Sequence, residues 1–355
     1  METPFFDVAV IGLGPAGSTL ARLLAPHMRV VCLDKKAERG GFTKPCGGLL
    51  APDAQKALAR FDLTLPKDVL VDPQLFSVRT LDLDTELVRH YQRFYVNVDR
   101  NKLDRWLISL IPPQAEVHTQ ASVSKLERTA GGFVASFSEN GVQKQIRTRY
   151  IVGADGADSL TRRTFFPAHK IRGYVAVQQW FKETHVSPFY SCVFDPENTD
   201  CYSWSVSKDG YFIFGGAYPP ERSRERFENQ KKKLEARGFR FGEPVKTEAC
   251  RVLRPGGWRE FCPGKDGVIL IGEAAGFISP SSLEGLSSAM ISATQAARVL
   301  QSGKKDPCRL YRRLTLGLRL KLFFKLFKCP FMYVPFLRKC VMKSGIESIE
   351  IIQKA

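Results

Sequence analysis

The sequence predicts an α/β protein: a Rossmann-like parallel core, an inserted and mainly antiparallel sheet, and a C-terminal helical tail. Three observations carry this. An apolar strand runs through a glycine-rich turn into a helix between Asp7 and Leu24. Two later strands, ending near Gly153 and Ile271, break into turns of small residues. Between them, from about Val175 to Gly216, aromatic and β-branched residues recur at strand period.

The first element is Asp7-Val8-Ala9-Val10-Ile11, a short β-branched run that reads as a buried parallel strand. Gly12-Leu13-Gly14-Pro15-Ala16-Gly17 follows, and its glycines have separate tasks. Gly12 permits the tight turn, Gly14 lets backbone approach a pyrophosphate, and Gly17 lets helix and strand pack closely. Pro15 suits the first helical position, where its missing N–H has no intrahelical partner. The amides and positive dipole end of that helix then face the phosphates. Arg29-Val30-Val31-Cys32-Leu33 is the second strand, and Asp34 ends it, placed to accept hydrogen bonds from a ribose diol. Strand, turn, helix, second strand and terminal acid together predict a bound dinucleotide.

Two more segments extend the pattern. Tyr150-Ile151-Val152-Gly153-Ala154-Asp155-Gly156-Ala157-Asp158-Ser159 is a strand breaking into an acidic glycine turn. Val268-Ile269-Leu270-Ile271-Gly272-Glu273-Ala274-Ala275-Gly276 is a strand running into a small-residue helix start. In order and spacing, over most of residues 5–300, these segments resemble the flavoprotein superfamily of para-hydroxybenzoate hydroxylase and the geranylgeranyl reductases. The resemblance implies that the dinucleotide is FAD. Gly12, Gly14, Pro15, Ala16 and Gly17 would hold its ADP half, with Asp34 and Lys35 beside them. Asp155 and Gly156 would lie near the ribose and pyrophosphate, and Gly272, Glu273 and Gly276 near the ribityl chain. Position 273 departs from the family, which usually has Asp there. Asn97-Val98-Asp99-Arg100-Asn101-Lys102-Leu103 is similar to the family's Arg-bearing segment that opens a helix beside the flavin, which makes Arg100 a candidate cofactor contact.

Lys44-Pro45-Cys46-Gly47-Gly48-Leu49-Leu50 resembles the Cys-Gly-Gly segment of geranylgeranyl reductases, which lies near the isoalloxazine ring. Glycines allow close approach to a flat ligand and a thiol is small and polarizable. Cys46 is therefore the candidate for a part in the chemistry, against the plainer alternative of an inert buried cysteine. Asp200-Cys201-Tyr202-Ser203-Trp204-Ser205-Val206-Ser207 is similar to the reductases' Tyr-x-Trp-x-Phe-Pro segment up to Trp204. Strand alternation puts Tyr202 and Trp204 on one face, and in the family that face lines the substrate tunnel. Gln178-Gln179-Trp180-Phe181, Gly215-Gly216-Ala217-Tyr218 and the basic tail make the chain most similar to the bacterial CbrA-type branch.

The resemblance implies an FAD-dependent oxidoreductase. The favoured chemistry is hydride transfer from reduced flavin to a C=C bond of a lipid or isoprenoid. A flavin-dependent monooxygenase and a non-catalytic flavin- or lipid-binding redox adaptor stay open. The electron donor is NAD(P)H or a small redox protein, since the superfamily usually lacks a separate nicotinamide domain. The expected division is 1–75, 95–170 and 255–303 for the FAD-binding part, 76–94 and 171–254 for the sheet over the substrate, and 304–355 for the tail.

Composition narrows the alternatives. The 9 cysteines are scattered and include no Cys-x-x-Cys pair, which fits neither a disulfide framework nor a zinc site. The 5 histidines are isolated, so no metal centre is expected. Neither a signal-peptide pattern nor a long apolar span is present, so the expected compartment is the cytoplasm. The net charge of +17 is concentrated in the tail: between Lys304 and Lys343 twelve Lys/Arg accompany one acid, Asp306. Without a nucleic-acid module, charge so placed argues against nucleic acid. Leu316, Leu320, Phe323 and Phe327 fall on one helical stripe and Arg313, Lys321, Lys325 and Lys328 on another, which predicts an interfacial helix on an anionic membrane within 307–346.

Overall fold

The structure, a computed structural model, describes residues 3–36, 44–184 and 187–352. The chain opens with β1 (Phe5–Ile11), α1 (Pro15–Leu24) and β2 (Val30–Leu33). Next come β3 (Leu49–Leu50), α2 (Pro52–Ala59), β4 (Ser77–Asp82), β5 (Val88–Gln92), β6 (Val96–Asn97) and α3 (Arg100–Ser109). β7 (Glu116–His118), β8 (Ala121–Thr129), β9 (Gly132–Glu139), β10 (Val142–Gly153) and α4 (Leu160–Phe165) follow. β11 (Gly173–Lys182), β12 (Phe189–Phe194), β13 (Ser203–Lys208), β14 (Tyr211–Tyr218), α5 (Ser223–Glu235) and β15 (Pro244–Leu253) form the inserted part. The chain then runs through β16 (Gly264–Lys265), β17 (Val268–Leu270), α6 (Leu286–Gln301), α7 (Pro307–Leu314), α8 (Leu316–Phe324), α9 (Cys329–Tyr333) and α10 (Pro335–Ser344).

These elements form two compact units. The first comprises Met1–Phe42, Asp104–Arg172 and Leu253–Phe324; the second comprises Thr43–Leu103, Gly173–Val252 and Lys325–Ala355. In the first unit the sheet runs β16-β17-β10-β1-β2-β7, parallel from β17 to β7, with β9 antiparallel to β10 and β8 paired to β9. β1 and β2 are apolar at nearly every position because both faces are covered. Val8, Val10, Val30 and Cys32 share a core with Leu20 and Leu24 of α1 and Ala293 and Ala297 of α6. Ala9, Ile11, Val31 and Leu33 join Phe133 and Phe137 of β9 in a second core.

The second unit holds a sheet of order β15-β11-β14-β13-β12-β4-β5, antiparallel from β11 to β12 and from β4 to β5, with β12 parallel to β4. One face packs Phe181, Phe214 and Tyr218 under Phe227 and Leu234 of α5. The expected boundaries differ here: 43–75 and 95–103, assigned to the FAD-binding part, cluster with the sheet. The physical reason is pairing of β3 with β6 and hydrogen bonds from Asn97 to the carbonyls of Pro73 and Ser207.

Nor is the tail a separate element. α7 and α8 belong to the first unit, where Cys308, Tyr311, Leu318 and Leu322 enter the core and the Tyr311 hydroxyl donates to Leu270 O at 3.0 Å. α10 belongs to the second unit and is pinned by Arg338 to Asp82 of β4. The stripe differs as well. Phe323 packs against Trp258 with ring centroids 5.9 Å apart, while Leu316, Leu320 and Phe324 are exposed. α8 carries two apolar faces, and Leu318 and Leu322 form the buried one. Among the described residues no helix is long and apolar enough to cross a membrane.

Candidate functional site

In the first unit, the predicted glycine turn adopts the conformation its residues require. Gly12 has φ of +95°, and a Cβ added there would lie 2.7 Å from Ala154 O. A Cβ at Gly17 would lie 1.9 Å from Gly12 O, so helix and turn meet backbone to backbone. Gly14 is different: it caps α1, with Pro15 in the first turn, and a Cβ there meets nothing within 4 Å. The open space lies at the helix N-terminus, where no side chain caps the amides. Asp34 is buried, and its carboxylate accepts from the amides of Leu13 and Lys36. It braces the turn, and its acceptor capacity beyond these two bonds is what a ribose would use. Lys35 is exposed, whereas Lys36 pairs with Asp104 at 3.0 Å.

The second and third predicted segments join this turn in the same unit. Asp155 accepts from Ser159 Oγ at 2.6 Å, Thr161 N at 2.9 Å and Thr161 Oγ1 at 3.0 Å. It therefore braces Ser159, the N-cap of α4, and holds the acidic turn, leaving Gly156, at φ +72°, beside open space. Ala16 is buried, and a Cβ at Gly272 would come within 3.1 Å of its methyl group. Gly276 has φ of +76° and closes the short helical turn that starts at Gly272. Glu273 reaches away from its own turn, and its Oε1 accepts from Leu253 N at 2.9 Å. The extra methylene relative to Asp supplies that reach. Arg162 is the residue that sequence reasoning missed here. Buried, it donates from Nη1 to Ala274 O and from Nη2 to Ala157 O, each at 2.6 Å, tying the second segment to the third. Its neighbour Arg163 is exposed and pairs with Asp158, so nothing in the doublet marked which arginine turns inward.

In the second unit, Cys46, Gly47 and Gly48 form a strap that leads into β3. A Cβ at Gly47 would lie 3.6 Å from the Tyr190 ring and 3.7 Å from Trp204 Cδ1, so the strap runs against both aromatics. Arg100, opening α3, donates to Cys46 Sγ at 3.8 Å, and Gly48 N donates to the same sulfur at 3.4 Å. Trp204 is buried with Nε1 donating to Gln178 Oε1 at 3.1 Å. The Tyr202 ring stands 6.1 Å from it, so the two predicted aromatics do meet. Burial pushes the phenols of Tyr202 and Tyr190 well above the ordinary tyrosine range. Lys208 lies buried beneath the strap, missed although strand alternation puts it on the Trp204 face.

The open space at Gly14 and Gly156, the uncapped α1 and the close glycine approaches fit a dinucleotide such as FAD. The residues that would hold it are Gly12, Gly14, Pro15, Ala16, Gly17, Asp34, Asp155, Gly156 and Gly272.

Comparison with known proteins agrees with the cofactor. The profile of an FAD binding domain matches residues 75–250. Protein CbrA of Escherichia coli is 54% identical over 346 residues, covering 97% of this chain and 94% of that protein. Among solved structures, a geranylgeranyl bacteriochlorophyll reductase-like protein from Thermoplasma acidophilum superposes with a TM-score of 0.80 at 19% identity, over 96% of this chain and 91% of the other. A probable FAD-dependent monooxygenase from Pseudomonas aeruginosa gives 0.67 at 18% identity, over 97% and 100%. At such identities the superpositions speak for the fold alone. The chain belongs to the CbrA family of FAD-dependent oxidoreductases.

Proposed function

We propose that the protein reduces a C=C bond of a lipid or isoprenoid with electrons from FAD. The observation that supports this most is the aromatic wall beside the strap. Tyr190 and Trp204 lie under Gly47, with Tyr95 6.2 Å from Tyr190 and Phe194 6.5 Å from Tyr202 between ring centroids. Phenols kept neutral by burial give apolar area with uncharged donors, which suits an apolar substrate. Bound FAD supplies the hydride chemistry. In the first unit the chain's own part is to hold the cofactor at its phosphates through the α1 turn; in the second, these rings offer an apolar surface that keeps water from a substrate.

The test uses flavin photoreduced without air, so that no electron donor is needed. Mixed with a polyprenyl alkene, the protein should regain its oxidised flavin band while the alkene gains two hydrogens by mass spectrometry. An unchanged alkene under these conditions, with a product carrying one added oxygen once air is admitted, makes it a monooxygenase. No turnover in either experiment favours a redox adaptor.

The proposal extends to an anionic membrane as the place where such a substrate is met. Leu316, Leu320 and Phe324 of the first unit are exposed, as are Phe327, Phe331 and Phe336 of the second, at 63, 54 and 71% for the last three. No Asp or Glu occurs from Pro307 to Ile346. Each basic residue near an anionic leaflet contributes about 1 kcal/mol, enough in sum for reversible docking. Since Tyr311 and Leu322 are buried in the first unit and Arg338 and Met342 in the second, substitution is the test rather than truncation. The wild type should float with anionic vesicles at low salt, and Phe327→Ser/Phe331→Ser/Phe336→Ser should float at least about tenfold less, as loss of three rings that would enter the membrane surface requires. Equal flotation of the two would rule these residues out as the anchor.

A further inference from the structure

Lys208 ends β13 with its side chain buried, two strand repeats beyond Trp204. Its ammonium faces three oxygens: Asn97 Oδ1 at 2.6 Å, Val98 O at 2.7 Å and Gly48 O at 3.3 Å. An ammonium has three N–H donors, so this set uses all of them. The oxygens come from two segments, the Cys46–Gly48 strap and the turn from β6 into α3. Those segments also bond directly, Val98 N donating to Gly48 O at 2.8 Å. Their approach is so close that a Cβ at Gly48 would stand 2.4 Å from Val98 O and 2.5 Å from Lys208 Nζ. With φ of +61° at Gly48, the strap is glycine-dependent twice over. From the other side Arg100, two residues past Val98, donates to Cys46 Sγ.

Among the described residues, Lys208 forms no ion pair. The charged and titratable groups that act on it are Cys46, Asp99 and Asp209. Asp99 Oδ1 accepts from the amides of Asn101 and Lys102, and Asp209 Oδ1 accepts from Asp72 N. Burial therefore lowers the Lys208 pKa to about 8, against the smaller opposing pull of Cys46 and the two carboxylates. A structural tie between carbonyls needs no such group. A lysine buried without a carboxylate partner is costly and changes charge close to neutrality.

We propose that Lys208 is a positioning residue of the flavin site: its ammonium holds the Cys46–Gly48 backbone against Tyr190 and Trp204 and biases bound flavin toward the reduced state. The inference rests on the reading that the strap lies beside the isoalloxazine ring, and it is independent of the substrate. A fixed positive charge near the ring favours the form carrying more electrons. Loss of the Lys208 proton removes both the charge and one of the three donors. The strap and the flavin environment then change together as pH rises through about 8.

The experiment follows visible circular dichroism and midpoint potential of the flavin-loaded protein from pH 7 to pH 10. The wild type should show an inflection near pH 8 in both signals. Lys208→Met should lose the inflection and prefer reduced over oxidised flavin about tenfold less at pH 7, an ordinary size for coupling between two sites. Lys208→Arg, charged throughout, should also lose it while keeping the low-pH potential, and it serves if the Met variant does not fold. Cys46→Ser should keep the inflection; its disappearance there would identify the thiol as the titrating group and overturn the proposal. A flat wild-type profile, or an inflection that survives in Lys208→Met, overturns it as well. Absence of flavin from the wild type would instead sink the cofactor reading along with it.

Discussion

Arg338→Ala should cost about 3–5 kcal/mol of stability, the usual loss when one partner of a buried ion pair is removed. Arg338 Nε and Nη2 donate to the two oxygens of Asp82, each at 2.9 Å, with side chains 4% and 0% exposed. Nη1 donates to Met332 O at 3.0 Å, and the guanidinium lies 5.0 Å from the Phe194 ring centre. Without it Asp82 keeps bonds from Asp84 N and Thr85 Oγ1, but a buried carboxylate has lost its cation. Equilibrium urea unfolding measures the loss. Arg338→Met with Asp82→Leu should recover most of it, because the pair is then absent from both sides rather than broken. Burial pushes the Asp82 carboxyl up, yet the Arg338 and Thr85 hydrogen bonds outweigh it and hold the group below the ordinary carboxylate range. A carboxyl lowered on folding stabilises above its unfolded pKa of about 3.9 and loses that contribution as pH falls through the folded value. Wild type should therefore lose stability below about pH 4 more steeply than the Met/Leu double variant. Unchanged stability of Arg338→Ala would mean that α10 does not depend on this pair.

That pair also marks where the sequence stopped being informative. The glycine turn, both later turns and the aromatic strand are legible because each rests on local geometry: a positive φ at Gly12, a backbone contact at Gly17, neighbouring rings at Tyr202 and Trp204 where β13 begins. What was not legible depends on partners far away in sequence. Asp82 and Arg338 are separated by 256 residues, and nothing near either announces the other. The packing of the tail is hidden for the same reason. Its helical stripes are real, but α8 has apolar residues on two faces, and only the first unit's core decides that Leu318 and Leu322 go inside. Asp34 and Glu273 lie just past the ends of the strands that the motifs mark. Their bonds to Leu13 and Leu253 follow from chain crossings that motif spacing does not encode. Lys208 was within reach, since a lysine two repeats from Trp204 on an apolar strand face is an anomaly that alternation exposes.

Gly14→Val should abolish tight FAD binding while leaving the fold in place. Gly14 has φ −70° and ψ −173°, extended backbone that valine adopts readily. Its Cβ would enter the open space at the N-terminus of α1 without meeting protein within 4 Å. The protein alone thus loses about 1 kcal/mol at most, the ordinary cost of a poor helix cap. A ligand using that space is another matter, because a branched side chain there displaces a pyrophosphate from the amides of the first turn. The expected loss is about 100-fold or more in FAD affinity, or about 2.7 kcal/mol. Fluorescence titration of the flavin-free proteins with FAD, run beside thermal unfolding of the same samples, measures both quantities. Placement of the phosphates at the α1 turn predicts near-wild-type unfolding and a dissociation constant raised about 100-fold or more. A folded Gly14→Val protein that binds FAD as tightly as the wild type would contradict it.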